Sequence, residues 1–124
     1  MAFSTAINCM DGRVQLPVID YMMKRFNVEY VDSITEPGPV KILAEQTDPV
    51  LLDSIFKRVS ISLKKHGSTT VAICAHADCA GNPAEENIQK EQLKKARALL
   101  QIKFPSAEIV TLWLDPDWNV HVFS

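Results

Sequence analysis

The sequence predicts an α/β fold: a three-layer sandwich around a mainly parallel sheet. Three observations carry this reading. Hydrophobic periodicity switches repeatedly between short apolar runs and longer stretches with helical spacing. The resulting order, β-α-β-α-β-α-β-β, is that of strands joined by crossover helices. Residues 69–75, Thr-Thr-Val-Ala-Ile-Cys-Ala, form a continuous apolar, β-branched run, as expected of a strand buried on both faces. Asp48-Pro49 and Asn82-Pro83 each look like a helix N-cap followed by proline at the first helical position. Right-handed crossovers then give the strand order 2-1-3-4, with a C-terminal strand at the edge.

Each element has its own justification. Residues 3–8 are short and apolar-rich and read as the first strand. Leu16, Ile19, Met22, Met23 and Phe26 have helical spacing, with Pro17 suited to a first turn and Asn27 a plausible stop. Residues 28–34 alternate and read as the second strand. Glu36-Pro37-Gly38-Pro39 is a turn signal, and we read a loop over 35–46 with a short helical turn near 42–45. The helix from Pro49 carries Leu52, Ile55, Phe56, Val59 and Leu63, and ends on Lys64, Lys65, His66 and Gly67, residues that suit a helix C-terminus. The next helix carries Ile88, Leu93, Ala96, Leu99, Leu100 and Phe104, and ends before Pro105. Residues 108–114 are a fourth strand. Asp115-Pro116-Asp117 is a turn, after which 119–123 returns as a hairpin strand.

Composition bounds the function. A chain of 124 residues with 47% hydrophobic residues can bury a core, so we expect a single domain over 1–124. No apolar run reaches a membrane-spanning length, and the first residues lack a basic-then-apolar leader, so the expected location is the cytoplasm, with no membrane partner. A net charge of −2 argues against a nucleic-acid partner, which would call for a basic excess. The basic pairs, such as Lys24-Arg25 and Lys94-Lys95, fall within helical patterns and read as solvated faces.

Three cysteines (Cys9, Cys74, Cys79) with no leader do not suggest a disulfide framework. Cys74 lies inside the apolar strand and reads as a small core residue. Cys9 follows the first strand, while His76 and Cys79 follow the third. In a doubly wound sheet these two strands are neighbours, and ligands bind at their carboxyl ends where the winding reverses. Two thiols and one imidazole there form a zinc-ligand set with a fourth position open. The same residues could equally serve the core. Asp11 and Arg13 lie two and four positions beyond Cys9 and can form a bidentate ion pair. That pair could stabilise a loop or orient a metal-bound group.

These motifs carry a resemblance. Cys9-Met10-Asp11-Gly12-Arg13 matches the Cys-x-Asp-x-Arg motif of the β-class carbonic anhydrases, and His76-Ala77-Asp78-Cys79 matches that family's His-x-x-Cys motif. Both stand at the strand ends where the family has them, and the similarity covers the α/β core. The resemblance implies Zn2+ held by Cys9, His76 and Cys79, with Asp11 and Arg13 as the catalytic dyad. It implies reversible hydration of carbon dioxide to bicarbonate by zinc-bound hydroxide. The family also has a closed state in which the aspartate binds the metal, so Asp11 is a candidate fourth ligand. A homodimer or higher homo-oligomer is expected on the same ground. The chain departs from the family in its shortness and in Glu36-Pro37-Gly38-Pro39, which replaces an Asn/Gly-rich segment.

Other readings compete. Related zinc hydrolases act on carbon disulfide or carbonyl sulfide. The zinc could instead belong to a non-catalytic regulatory or assembly domain. A phosphatase-type cysteine nucleophile needs Cys-x5-Arg, whereas the spacing here is Cys-x3-Arg with an acidic residue inside. Asp78 reads as a capping or loop hydrogen-bonding residue, His66 and His121 as surface or helix-end residues, and Trp113 and Trp118 as core or interface.

Overall fold

Five strands form one sheet in the order β2-β1-β3-β4-β5: β1 (Phe3–Cys9), β2 (Tyr30–Glu36), β3 (Thr70–His76), β4 (Glu108–Leu114) and β5 (Val120–Val122). The computed structural model describes residues 2–123; Met1 and Ser124, the outermost residues of the expected domain, lie outside them. The first four strands are parallel, and β5 returns antiparallel to β4 through Leu112–Val122, Trp113–His121 and Leu114–Val120. This is the predicted sheet. The helices are α1 (Gly12–Phe26), α2 (Pro39–Glu45), α3 (Pro49–Lys65) and α4 (Glu86–Lys103).

The three layers follow from the pleat of β3, which is buried throughout. Successive side chains point to opposite faces. Val71, Ile73 and Ala75 pack with Leu43 of α2, Ile55 and Val59 of α3, and Leu93, Ala96 and Leu100 of α4. Ala72 and Cys74 face the other way and pack with Val14, Val18 and Met22 of α1 and with Leu112 and Leu114 of β4. One helix therefore covers one face, and three cover the other. Cys74 is a core residue, as its place in the strand implies.

Several expectations need correction. The helix expected from Leu16 begins at Gly12, because Asp11 caps it: the Asp11 carboxylate accepts the Arg13 backbone N–H at 2.9 Å. Pro17 therefore sits inside the helix, not in its first turn. The buried stripe is Val14, Val18 and Met22, while Leu16 and Met23 point to solvent. The segment expected as a loop holds a two-turn helix, α2, starting at Pro39 after Gly38 in the left-handed region (φ 63°). Asn82-Pro83 does not cap α4, which starts at Glu86; the buried Asn82 amide instead donates to Gln92 Oε1 at 2.7 Å.

Other signals hold. Asn27 takes the left-handed conformation that ends α1, and Asp48 accepts the Leu51 N–H at 3.0 Å to start α3. The Asp48 cap is exposed, and its carboxylate bonds within the first turn of α3. Asp48→Ala is expected to lower unfolding free energy by about 1 kcal/mol in urea titrations, with no change in metal affinity.

Candidate metal centre

Parallel order places the last residues of β1 and β3, Cys9 and His76, at the same edge of the sheet on adjacent strands. Cys79 lies three residues beyond His76 in the loop towards α4. The three ligand atoms lie within 4.8 Å of one another, and all three residues are buried. The two sulfurs are 3.8 Å apart, too far for a disulfide bond, and both thiols are free.

The donor set fits a metal ion on two counts. Sulfurs each about 2.3 Å from a tetrahedral zinc would stand roughly 3.8 Å apart. The second count is an orphaned atom. His76 Nδ1 lies 2.7 Å from the Ala77 carbonyl and so carries the proton, which leaves a lone pair on Nε2. That Nε2 is buried and has no hydrogen-bond partner. A buried polar atom without a partner costs about 1–3 kcal/mol. A cation among these three atoms would remove that cost. It would also favour the thiolates, against the burial and the neighbouring Cys9 thiol that push Cys79 up to about 11.

Asp11 and Arg13 form the second part of the site. Asp11 is the N-cap of α1 and Arg13 its second helical residue, so the two-residue spacing is set by the cap itself. Arg13 Nε donates to both Asp11 oxygens at 3.0 and 3.2 Å, and Nη2 donates to Oδ2 at 2.7 Å. The Arg13 hydrogen bonds, aided by its charge, hold the Asp11 carboxyl down at about 2. Both Asp11 oxygens are thus engaged by Arg13, and the clustered ligand atoms are those of Cys9, His76 and Cys79.

Arg13 also reaches the second ligand loop. Its Nη1 donates to Asp78 Oδ2 at 3.2 Å and its Nη2 to the Asp78 carbonyl at 3.1 Å. One guanidinium therefore ties the loop after β1 to the loop after β3. Asp78 is not a helix cap but a partner of Arg13, and the left-handed backbone of Asp78 (φ 56°) turns its carbonyl into that role.

Backbone anchors fix the two loops. Gln15 Nε2 donates to the Cys9 carbonyl at 2.6 Å. Gln89, fully buried on α4, donates to the carbonyls of His76 (3.0 Å) and Ala84 (2.9 Å). Gly81 lies against Pro37, where a Cβ would approach the backbone carbon to 2.5 Å. This close approach packs the Glu36-Pro37-Gly38 turn onto the loop that carries Cys79. Sequence reasoning missed Gln89, although a signal existed: Gln89 lies on the buried stripe with Leu93, Ala96 and Leu100.

The family model described as "Putative carbonic anhydrase" matches residues 1–124. The chain belongs to that family. Its fold is that of the β-carbonic anhydrases. Isoform I from the protozoan Trichomonas vaginalis superposes with a TM-score of 0.65 at 14% identity, covering 96% of this chain and 81% of that one. A tetrameric β-carbonic anhydrase from the filamentous ascomycete Sordaria macrospora gives 0.63 at 9% identity, covering 100% and 82%. The β-carbonic anhydrase of the fungal pathogen Aspergillus fumigatus gives 0.53 at 13%, covering 97% and 74%. No curated protein sequence matches the chain significantly. Among the described residues, no helix of this carbonic anhydrase-family chain is long and apolar enough to cross a membrane.

The lowered Asp11 pKa makes a pH prediction. The stabilisation it contributes is fully present above the unfolded value of 3.8 and is lost as pH falls through about 2. Asp11→Asn keeps a capping side chain but removes the charge. In metal-free protein, urea titrations should show wild type more stable than Asp11→Asn near neutrality, and the gap should close towards pH 2. Discounted for partial exposure, the gap should be about 1 kcal/mol.

Proposed function

We propose that this chain is a zinc-dependent β-class carbonic anhydrase that hydrates carbon dioxide reversibly to bicarbonate. The observation that carries the reading is the buried trio of Cys9, His76 and Cys79, with Asp11 two residues beyond Cys9 and held by Arg13. Cys9, His76 and Cys79 would hold the ion. Zinc bound there would act as a Lewis acid that makes hydroxide available at about pH 7.

The protein's own groups supply the rest. Asp11 is ionised at every working pH, so it is a standing hydrogen-bond acceptor beside the ligand trio. In this role it accepts the proton of the attacking hydroxyl group in a hydrogen bond and turns a lone pair towards the carbon of the substrate. Arg13 fixes the carboxylate plane through bonds to both oxygens, and a switch of Asp11 to a bound ion as fourth ligand would have to break them. Two thiolates would cancel the charge of a divalent cation. The Arg13 guanidinium and the amide end of α1 provide compensating positive potential. The His76 Nδ1–H bond to Ala77 keeps Nε2 aimed among the sulfurs.

A homo-oligomer belongs to the same reading. Met10 and Leu16, beside the site, are 62% and 77% exposed and suit a subunit contact. The β-carbonic anhydrase of Sordaria macrospora is tetrameric.

Zinc-loaded protein should accelerate carbon dioxide hydration in a stopped-flow pH-indicator assay. Asp11→Asn and Arg13→Ala should each lower kcat/KM by roughly 10²-fold while retaining zinc. No hydration by a zinc-replete wild type would contradict the proposal. Hydrolysis of carbonyl sulfide or carbon disulfide in its place would move the chain to a related linear substrate.

A further inference from the structure

The turn between β4 and β5 breaks a local rule. Asp115 opens it, with Pro116 next, and the Trp118 N–H bonds the Asp115 carbonyl at 2.9 Å, while the Asp115 N–H bonds the Asn119 carbonyl at 3.1 Å. This is a tight turn followed by one left-handed residue, a position that glycine or asparagine usually fills. Trp118 occupies it, at φ 66°. A bulky side chain there is strained, and such strain persists only where the surroundings hold it. The surroundings do so here. Asp115 Oδ1 accepts the N–H groups of Asp117 (2.8 Å) and Asn119 (3.0 Å), and Asp115 Oδ2 lies 2.7 Å from His121 Nε2 on β5.

The strained backbone delivers the indole to the candidate metal centre. The Arg13 guanidinium carbon lies 4.4 Å from the Trp118 ring centroid. The His76 ring lies 5.9 Å away, tilted by 49°. Asp11 and Asp78 occupy the edges of the guanidinium, and the indole covers a face. A cation held over an aromatic face in this way is attracted by the ring's negative face.

We propose that Trp118 is a positioning residue for the Asp11–Arg13 pair. The indole restrains the guanidinium so that it cannot rotate away from Asp11, and the hairpin turn carries strain in order to place it there. The consequence for turnover rests on the carbonic anhydrase reading; the restraint on Arg13 does not.

The test uses Trp118→Phe, Trp118→Leu and Trp118→Gly in the full chain, with and without added zinc. Phenylalanine keeps a π-face. Leucine keeps apolar cover without one. Glycine relieves the turn and removes the cover. The first readout is solvent exchange of the Arg13 Nε–H proton by 15N–1H NMR. It should be slow in wild type and in Trp118→Phe, and about three- to tenfold faster in the leucine and glycine variants. In zinc-loaded protein kcat should fall by a similar factor in those two variants, with KM little changed. Equal exchange rates in wild type, leucine and glycine variants would overturn the proposal. So would a kcat that follows melting temperature alone across the series. A wild type without hydration activity but with Trp118-dependent Arg13 exchange would preserve the restraint and remove only the anhydrase reading.

Discussion

Three buried donor atoms converge at the ends of two adjacent strands, and one of them, His76 Nε2, has no partner within the protein. This is the constraint on which the site's architecture rests. A protein interior rarely tolerates an orphaned polar atom next to two thiols without a reason. The sheet order supplies the convergence, since β1 and β3 are neighbours only because β2 crosses to the outer side of β1. The loop after β3 is then held from beneath by Gln89 and from the side by the contact of Gly81 with Pro37. These anchors act on backbone, so the ligand positions depend little on the mobility of long side chains.

Charge is arranged around the donors with unusual economy. One carboxylate, that of Asp11, caps α1 and also holds Arg13. One guanidinium, that of Arg13, binds Asp11, spans to Asp78 and lies on Trp118. The helix start and the ion pair are therefore a single structural unit. A change that loosens the first turn of α1 would also disturb the Arg13 bridge to Asp78, in the loop that carries Cys79. Farther along the same edge Arg58 pairs with Glu36 at the end of β2, which ties α3 to the sheet near the site.

Much of this was legible in the sequence because its signals are local or periodic. The apolar run at 108–114 is the fourth strand, and the continuous run at 69–75 is the buried central strand shifted by one residue. The trio of Cys9, His76 and Cys79 is legible because two short motifs stand at the ends of β1 and β3, neighbours in the sheet. α1 starts four residues before the apolar periodicity that marks it, because the Asp11 cap extends the helix to Gly12. Asn82-Pro83 imitates a cap, but burial of Asn82 against Gln92 wins over local propensity. The role of Trp118 depends on contacts across more than a hundred positions of chain, which no local pattern encodes. Its trace in the sequence is a tryptophan where the turn favours glycine.

The proposed function requires that Cys9, His76 and Cys79 hold one zinc ion. Zinc content of the folded protein, purified without added metal or chelator, tests it most directly. About one zinc per chain is expected, lost together with stability when a strong chelator removes it. Folded protein that carries no metal, and takes up none from buffered zinc, would contradict it.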